Sequence, residues 1–510
     1  MPQAVIHLSI ACIAILAFAG LGSGFGAAIS GRTESGTAAP TRHFTGEVAQ
    51  TEAAAIVPHH LRPGALARLL ENVSPEGALR GAVLAAPGGN PEYQFHWTRD
   101  AAITMREVAA ELDREGLPGG APLQRALDDY ADFSWRSILT PTQGGNGEPK
   151  YTPHATAFNE KWGRPQNDGP AMRALVHLRL EQRALARGEV PGGFGSARLA
   201  SLRSDLDYIV HNWREASYDV WEEELAAHFY TRTVQREALR RGSELASALG
   251  DAESAERYAR VADELDEALG HHWDDEHGIL RATLPGSRVG GIDYKWTGLD
   301  TTVLLARLHA DVGPEGILDD RLLSTAWNLE SSFRREYPIN HGQDGAVWIG
   351  RYPEDRYTGQ PFADHPGGGN PWLLTTAAFG ELHYGVAHAL GARNGVDLST
   401  RNAPFFLAAL GQAVPADGAE ALALLKGELG HGDGVLSAES GAGRRLRRAL
   451  IDRGDRFLEL VHGAIDGEGR HTEQLHRETG VPLGAEQLTW NDASLLSAYR
   501  TREKATADIP

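Results

Sequence analysis

The chain has 510 residues, 42% hydrophobic and 23% charged, an ordinary globular composition with ample length for a large core. Its formal net charge is −19, and no basic stripe interrupts it. Such a surface repels phosphate backbones and anionic membranes, which argues against nucleic acid as a partner; neutral substrates such as sugars are compatible.

No charged side chain precedes Arg32, and residues 4–21, AVIHLSIACIAILAFAGL, are almost wholly apolar. Residues 1–29 read as a signal peptide whose positive charge is reduced to the α-amino group. The run is also long enough to span a bilayer, so an uncleaved anchor is the alternative. The protein is therefore expected to be secreted or periplasmic, or else anchored to a membrane. The single cysteine, Cys12, lies inside this leader. A mature chain would have no disulfide, which a large core makes affordable. Residues 30–45, SGRTESGTAAPTRHFT, have linker composition, and 46–510 read as one domain.

From about residue 55 the pattern is helical. DAAITMREVAAELDREG (100–116) sets Ala102, Ile103, Val108 and Leu112 at helical spacing. Similar stretches follow at 122–139, 168–188, 198–212, 219–249, 251–271, 298–312, 319–335, 372–391, 404–413, 418–429, 442–465 and 490–503. Only brief strand-like runs appear, such as GILRATL (278–284). No fixed period marks a solenoid. The reading is one all-α domain whose long loops carry the unusual residues.

Five loops could hold chemistry. YQFHWTRD (93–100) runs an aromatic cluster with Tyr93 and Trp97 into Arg99 and Asp100 at a helix start; by itself Asp100 could be an N-cap. GEPKYTPHATAFNEKWGRPQNDGPAMR (147–173) carries Trp162 and Arg164 and ends at Asp168, read as the next N-cap. Its glycines lack the Lys-Ser/Thr pair of a phosphate loop. SYDVWEEELAAHFYT (217–231) follows Asp219 and Trp221 with three glutamates. They read as a solvated helix start, where successive side chains diverge by about 100°, unless one turns inward beside Trp221 and acts as a general acid. GRYPEDRY (350–357), followed by NPW at 370–372, offers Arg351, Asp355 and Trp372. HTEQLHRETGVPLGAEQLTWND (471–492) places Glu473 in a loop before a last helix starting near Trp490. HHWDDEHG (271–278) has mixed metal-ligand types without a matching motif, and a helix-end loop explains it better than a metal site.

Taken together and in this order, these segments resemble the catalytic domain of glucoamylases, the family 15 glycoside hydrolases. The matching pieces are WTRDAA, GEPKY…WGRPQNDGPAMRA, YDVWEEE, GRYPED…NPW and TEQ…LTW, spanning residues 93 to 492. The resemblance implies an (α/α)6 toroid with long active-site loops at one end, 46–510 being the catalytic domain. It implies hydrolysis of α-1,4 bonds from the non-reducing ends of starch-like glucans, with no cofactor, no metal and no stable protein partner. By motif position Glu222 resembles the general acid and Glu473 the general base. Arg99 and Asp100 resemble the pair that binds terminal glucose hydroxyls. Trp162, Trp221, Glu223 and Arg351 resemble groups lining the first two sugar sites. Tyr93, Trp97, Asp219, Asp355, Trp372 and Trp490 are further substrate-binding candidates.

In the inverting reaction two carboxyls sit roughly 6.5–9.5 Å apart, leaving room for a water. Glu222 is then expected to stay protonated against an aromatic wall and Glu223, and Glu473 to stay ionised in a more polar setting. The segment 358–369 is longer than the fungal pattern, and no starch-binding module is legible, so soluble dextrins are the expected substrates. A relative acting on trehalose or α-1,6-glucans, or a non-catalytic carbohydrate-binding toroid, is the alternative.

Overall fold

The computed structural model describes residues 61–88, 92–114, 120–188, 196–359 and 368–507. The expected leader (1–29), the expected linker (30–45) and most of segment 358–369 lie outside the described residues. Fifteen helices are present among those described: α1 Leu61–Glu71, α2 Thr98–Leu112, α3 Gly120–Leu139, α4 Asp168–Ala186, α5 Ala197–Asn212, α6 Phe229–Ala248, α7 Ala252–Gly270, α8 Thr302–Ala310, α9 Gly313–Ile317, α10 Asp320–Glu336, α11 Leu373–Ala392, α12 Ala403–Ala409, α13 Gly418–Leu429, α14 Gly441–Gly463 and α15 Thr489–Ala507.

Six of them close a ring: α2 packs on α4, α4 on α6, α6 on α8, α8 on α11, α11 on α15, and α15 returns to α2. The others alternate with them along the chain as an outer layer of α1, α3, α5, α7, α10 and α14. α3 packs against α2, α7 against α6, and α14 against α11 and α15. The short helices α9, α12 and α13 are additions. This is the (α/α)6 toroid.

The two layers differ in sequence for a physical reason. A ring helix has neighbours on both sides and a third behind it, so it is apolar or buried almost all round. α11, LLTTAAFGELHYGVAHALGA, buries most of its twenty residues. An outer helix buries one stripe. α7 buries Ala255, Tyr258, Val261, Ala262, Leu265 and Leu269 at helical spacing and shows charge on its other face. Starts are fixed by side-chain caps: Ser196, Asp251, Asp417 and Ser440 each accept a backbone N–H of the first turn.

Several expectations change. α1 has no counterpart among the expected helices. The helix expected over 219–249 begins at Phe229, because residues 217–226 form a hairpin with a tight turn. α8 starts at Thr302, and the ladder in GILRATL is limited to Ile279–Leu280, paired with Trp273–Asp274. Asp100 is the third residue of α2, and Trp97 holds the cap position. Asp168 opens α4 behind Asn167. Glu473 lies on a strand, Thr472–Leu475, paired antiparallel with Pro482–Glu486. Among the described residues no helix is long and apolar enough to cross a membrane.

Candidate active site

The segments that lead into the six ring helices meet around one cavity of about 790 Å³. Tyr93, Trp97, Arg99, Asp100, Trp162, Trp221, Glu222, Glu223, Arg351, Trp372, Glu473 and Trp490 all line it. Asp219 and Asp355 do not; both stand behind the wall and position others.

Asp219 builds the turn that carries the three glutamates. The strands Ser217–Tyr218 and Glu224–Ala226 pair antiparallel. Between them the Glu222 N–H donates to the Asp219 carbonyl at 2.9 Å. The Asp219 carboxylate accepts the N–H groups of Glu223 (2.7 Å) and Glu224 (3.0 Å). Lys295 reaches the same carboxylate at 2.6 Å and Asp300 at 3.1 Å. Burial opposes the charge of Asp219, but Lys295 outweighs it and holds the carboxyl well below its usual range. Closing the turn forces Glu222 to φ 66°, a left-handed conformation that costs a bulky residue about 1–3 kcal/mol. A third strand, Gly290–Gly291, covers the hairpin. At Gly291 any Cβ would strike the Glu223 carbonyl.

The turn sends the glutamates to three destinations. Glu222 Oε1 accepts from Trp97 Nε1 (2.7 Å) and Gln166 Nε2 (2.8 Å), with Arg99 at 3.8 Å. Glu223 takes Arg351 (2.8 Å) and the Tyr352 hydroxyl (2.6 Å). Glu224 turns away to accept from Thr283 (2.6 Å). The tight turn thus achieves the divergence expected of a helix. Burial raises the Glu223 carboxyl, with Arg351 opposing. Asp355 grips the Arg351 guanidinium through both oxygens, at 2.9 and 2.5 Å.

Glu473 approaches from the other wall. It is 1% exposed and accepts from Gln474 Nε2 (3.2 Å), the Tyr93 hydroxyl (3.3 Å) and, at the long limit, Tyr357 (3.5 Å). Burial pushes its carboxyl up to about 7, with Arg351 and Tyr93 pulling the other way. This reverses the polar setting expected for it. The partner strand accommodates Glu473 through Gly484, at φ 78°, where a Cβ would collide with the carboxylate. An aromatic pair joins the two walls: Trp97 donates to Glu222, and Tyr93 packs edge-on against it at 5.6 Å while reaching Glu473.

Arg99, Asp100 and four tryptophans, Trp162, Trp221, Trp372 and Trp490, contribute to the remaining lining. Arg99 is held by Asp168 (3.1 Å) and Gln166 (2.9 Å). Burial pushes Asp100 up to about 6 against the pull of Arg99. One Asp100 oxygen, 3.5 Å from Arg99 Nε, and the indole nitrogens of Trp162, Trp372 and Trp490 are buried without a hydrogen-bond partner. Trp221 stacks on Trp490 at 6.3 Å and gives its N–H to Asp300 at 2.9 Å.

The family model described as glycosyl hydrolases family 15 matches residues 65–500. The chain belongs to that family. Glucoamylase 1 of Rhizopus oryzae is 31% identical over 446 residues, 86% of this chain and 69% of the relative. The probable glucoamylase of Schizosaccharomyces pombe is 29% identical over 459 residues, 87% of this chain and 91% of the relative. Among solved structures, the glucoamylase of Saccharomycopsis fibuligera superposes with a TM-score of 0.77 at 26% identity, covering 88% of this chain and 95% of that one. As a member of family 15 the protein is a glycoside hydrolase.

Sequence reasoning missed several contributors to this family 15 site. Tyr357 is the second tyrosine of GRYPEDRY, and Gln166 lies inside WGRPQND; the motif signal was there but no spacing distinguished them. Lys150 sits with its ammonium 3.3 Å from the ring centre of Trp162 and 4.3 Å from that of Trp97. Burial brings it down to about 8, with Glu222 opposing. Lys295 lies 76 residues from Asp219 in the chain, and no local pattern announces it. In HHWDDEHG, Asp274 is engaged by Arg281 (2.6 Å) and His277 (3.0 Å), and His272 by the Arg281 carbonyl (2.9 Å), a loop closed on itself.

Proposed function

We propose that this glycoside hydrolase removes glucose from the non-reducing ends of α-1,4-linked glucans, starch-derived dextrins above all, with inversion to β-glucose. The observation that carries the reading is that Glu222 and Glu473 line one cavity from opposite loop systems, bridged by Trp97 and Tyr93. The names of the relatives, all glucoamylases, support the substrate.

In this reading Glu222 gives its proton to the glycosidic oxygen as the bond to the anomeric carbon breaks. Glu473 takes a proton from the water that attacks that carbon from the other face. Arg99 and Asp100 hold the hydroxyls of the terminal ring, and Trp162, Trp221, Trp372 and Trp490 with Glu223 and Arg351 shape the first two sugar sites. Following maltotriose hydrolysis by proton NMR tests the reading. β-Glucose in the first minutes supports it, α-glucose removes the inverting pair, and faster release from trehalose or isomaltose moves the substrate.

One observation favours exchanging the two roles: burial biases Glu473 toward its protonated form, while two neutral donors converge on Glu222 Oε1. α-Glucosyl fluoride decides between them, because fluoride leaves without a proton. If Glu222 is the acid, Glu222→Gln retains most activity on the fluoride and Glu473→Gln loses it.

The same reading makes residues 1–29 an export leader, 30–45 a linker and the protein secreted, with an uncleaved anchor as the alternative. N-terminal sequencing of protein recovered from the medium or the membrane fraction separates the two.

A further inference from the structure

Glu222 lies between two residues that are each tied down from outside the turn. On one side the Trp221 indole N–H donates to Asp300 Oδ1 at 2.9 Å, an oxygen that also accepts the Thr302 N–H at the start of α8 at 2.9 Å. On the other side the N–H groups of Glu223 and Glu224 share Asp219 Oδ1. One ammonium joins the two carboxylates: Lys295 Nζ lies 2.6 Å from Asp219 Oδ2 and 3.1 Å from Asp300 Oδ2. It also stands 4.2 Å from the ring centre of Tyr352, whose hydroxyl donates to Glu223 at 2.6 Å. Both chain neighbours of Glu222 are thus one group removed from the same charge.

Lys295 is itself held in place. The strand Gly290–Gly291 before it pairs with Glu224–Ala226, and the Ile292 N–H donates to the Glu223 carbonyl at 3.0 Å. After it, the Thr297 N–H donates to Glu354 at 2.6 Å. Burial opposes the charge of the ammonium, but Asp219 and Asp300 outweigh it and keep Lys295 ionised. A carboxylate bonded through one oxygen can still swing; a charge-assisted partner on the other oxygen fixes its plane. Glu222, at φ 66°, is a left-handed residue of the kind that persists only where its surroundings over-determine it. Lys295 does not line the cavity, so whatever it does for the reaction it does through this turn.

We propose that Lys295 is a positioning residue of the reaction: by locking the carboxylates of Asp219 and Asp300 together, it aims Glu222 at the glycosidic oxygen. The proposal rests on the reading of Glu222 as the proton donor.

The test compares two substrates that differ in their need for a proton. Maltotriose needs one on its leaving oxygen, and α-glucosyl fluoride does not. Lys295→Met is expected to lower kcat on maltotriose about 10–100-fold and kcat on the fluoride by less than about threefold. Loss of folded protein would instead lower both alike. Lys295→Arg, which keeps the charge, should recover most of the maltotriose rate. Lys295→Met/Asp300→Asn leaves fewer buried charges unpaired, keeps an acceptor for Trp221 and should show the same split between substrates. Lys426→Met, which breaks the pair with the exposed Asp433 at 2.7 Å, should match the wild type on both. Equal losses on the two substrates, or an unchanged kcat on maltotriose, overturn the positioning role. If Glu222→Gln loses as much on the fluoride as on maltotriose, the proton-donor reading falls, and the positioning role with it.

Discussion

The two carboxylates of the site are held in opposite ways. Glu222 sits on a turn that is strained in its backbone and rich in partners: Trp97 and Gln166 on one oxygen, Asp219 beneath, Lys295 beneath that. Glu473 lies on an antiparallel strand at the point where its register with Pro482–Glu486 shifts, and is buried, with two tyrosine hydroxyls and a glutamine side-chain amide as its side-chain donors. The first is positioned by geometry, the second tuned by its dielectric surroundings. If Glu222 is the proton donor, as proposed, it must point at one oxygen of the substrate, so fixing its direction is worth strain. If Glu473 is the base, as proposed, it gains basicity from burial, because a poorly solvated carboxylate binds a proton more strongly.

Removing either carboxylate is the strongest way to break this comparison. Glu222→Gln and Glu473→Gln should each lower kcat on maltotriose about 10²–10⁴-fold with little change in KM. A loss well below tenfold in either variant would take that residue out of the chemistry.

Next in size is the turn itself. Asp219→Ala leaves Lys295 half-paired and two N–H groups without an acceptor, in a buried setting, and should cost about 3–5 kcal/mol of stability. Urea denaturation measures it. A variant as stable as the wild type would mean the turn holds itself.

The buried side is sharpened by pH. If Glu473 is the base, it must be ionised in the free enzyme, so kcat/KM should fall about tenfold per pH unit as pH drops below about 7. Tyr93→Phe removes a donor that favours the charged form. The acid limb should then move to higher pH, with activity at pH 6 reduced about three- to tenfold. A limb that stays in place removes Tyr93 from the tuning of Glu473.

The same carboxyl also acts on stability. The Glu473 carboxyl has a folded-state value of about 7, above the ordinary 4.5. Folding therefore favours its protonated form, and stability is lost as pH rises from about 4.5 through 7. Glu473→Gln, neutral at every pH, should exceed the wild type by about 1–3 kcal/mol at pH 8 and match it near pH 4. No divergence between the two pH values would mean that burial does not bias this carboxyl.

Much of the cavity lining was legible in the sequence because its motifs concentrate rare neighbours: WTRD, WEEE, RYPED and TEQ place aromatic, guanidinium and carboxylate groups within a few residues of each other. The helical pattern was legible for the same local reason, since a stripe repeating near every 3.6 residues survives in any helix with one wet face. Where the local rule was weak the reading slipped. Three glutamates after a tryptophan look like a helix start, yet a buried aspartate and a remote lysine make a turn of them. Asp219 and Asp355 match the motifs less directly than Arg351 does, and their place inside those motifs made them substrate-binding candidates, although they stand behind the cavity wall.

What the sequence determined by itself was the set of elements and the chemical inventory, because periodicity, capping residues and motif spacing act over a few residues. The tertiary structure alone decided which of those groups meet. Only ring closure brings Tyr93 to Glu473 across 380 residues and Arg351 to Glu223 across 128. It also decided how each group ionises. Burial and partner charge depend on what the closed ring packs around a side chain, and this is why Glu473 is buried where a polar setting was expected.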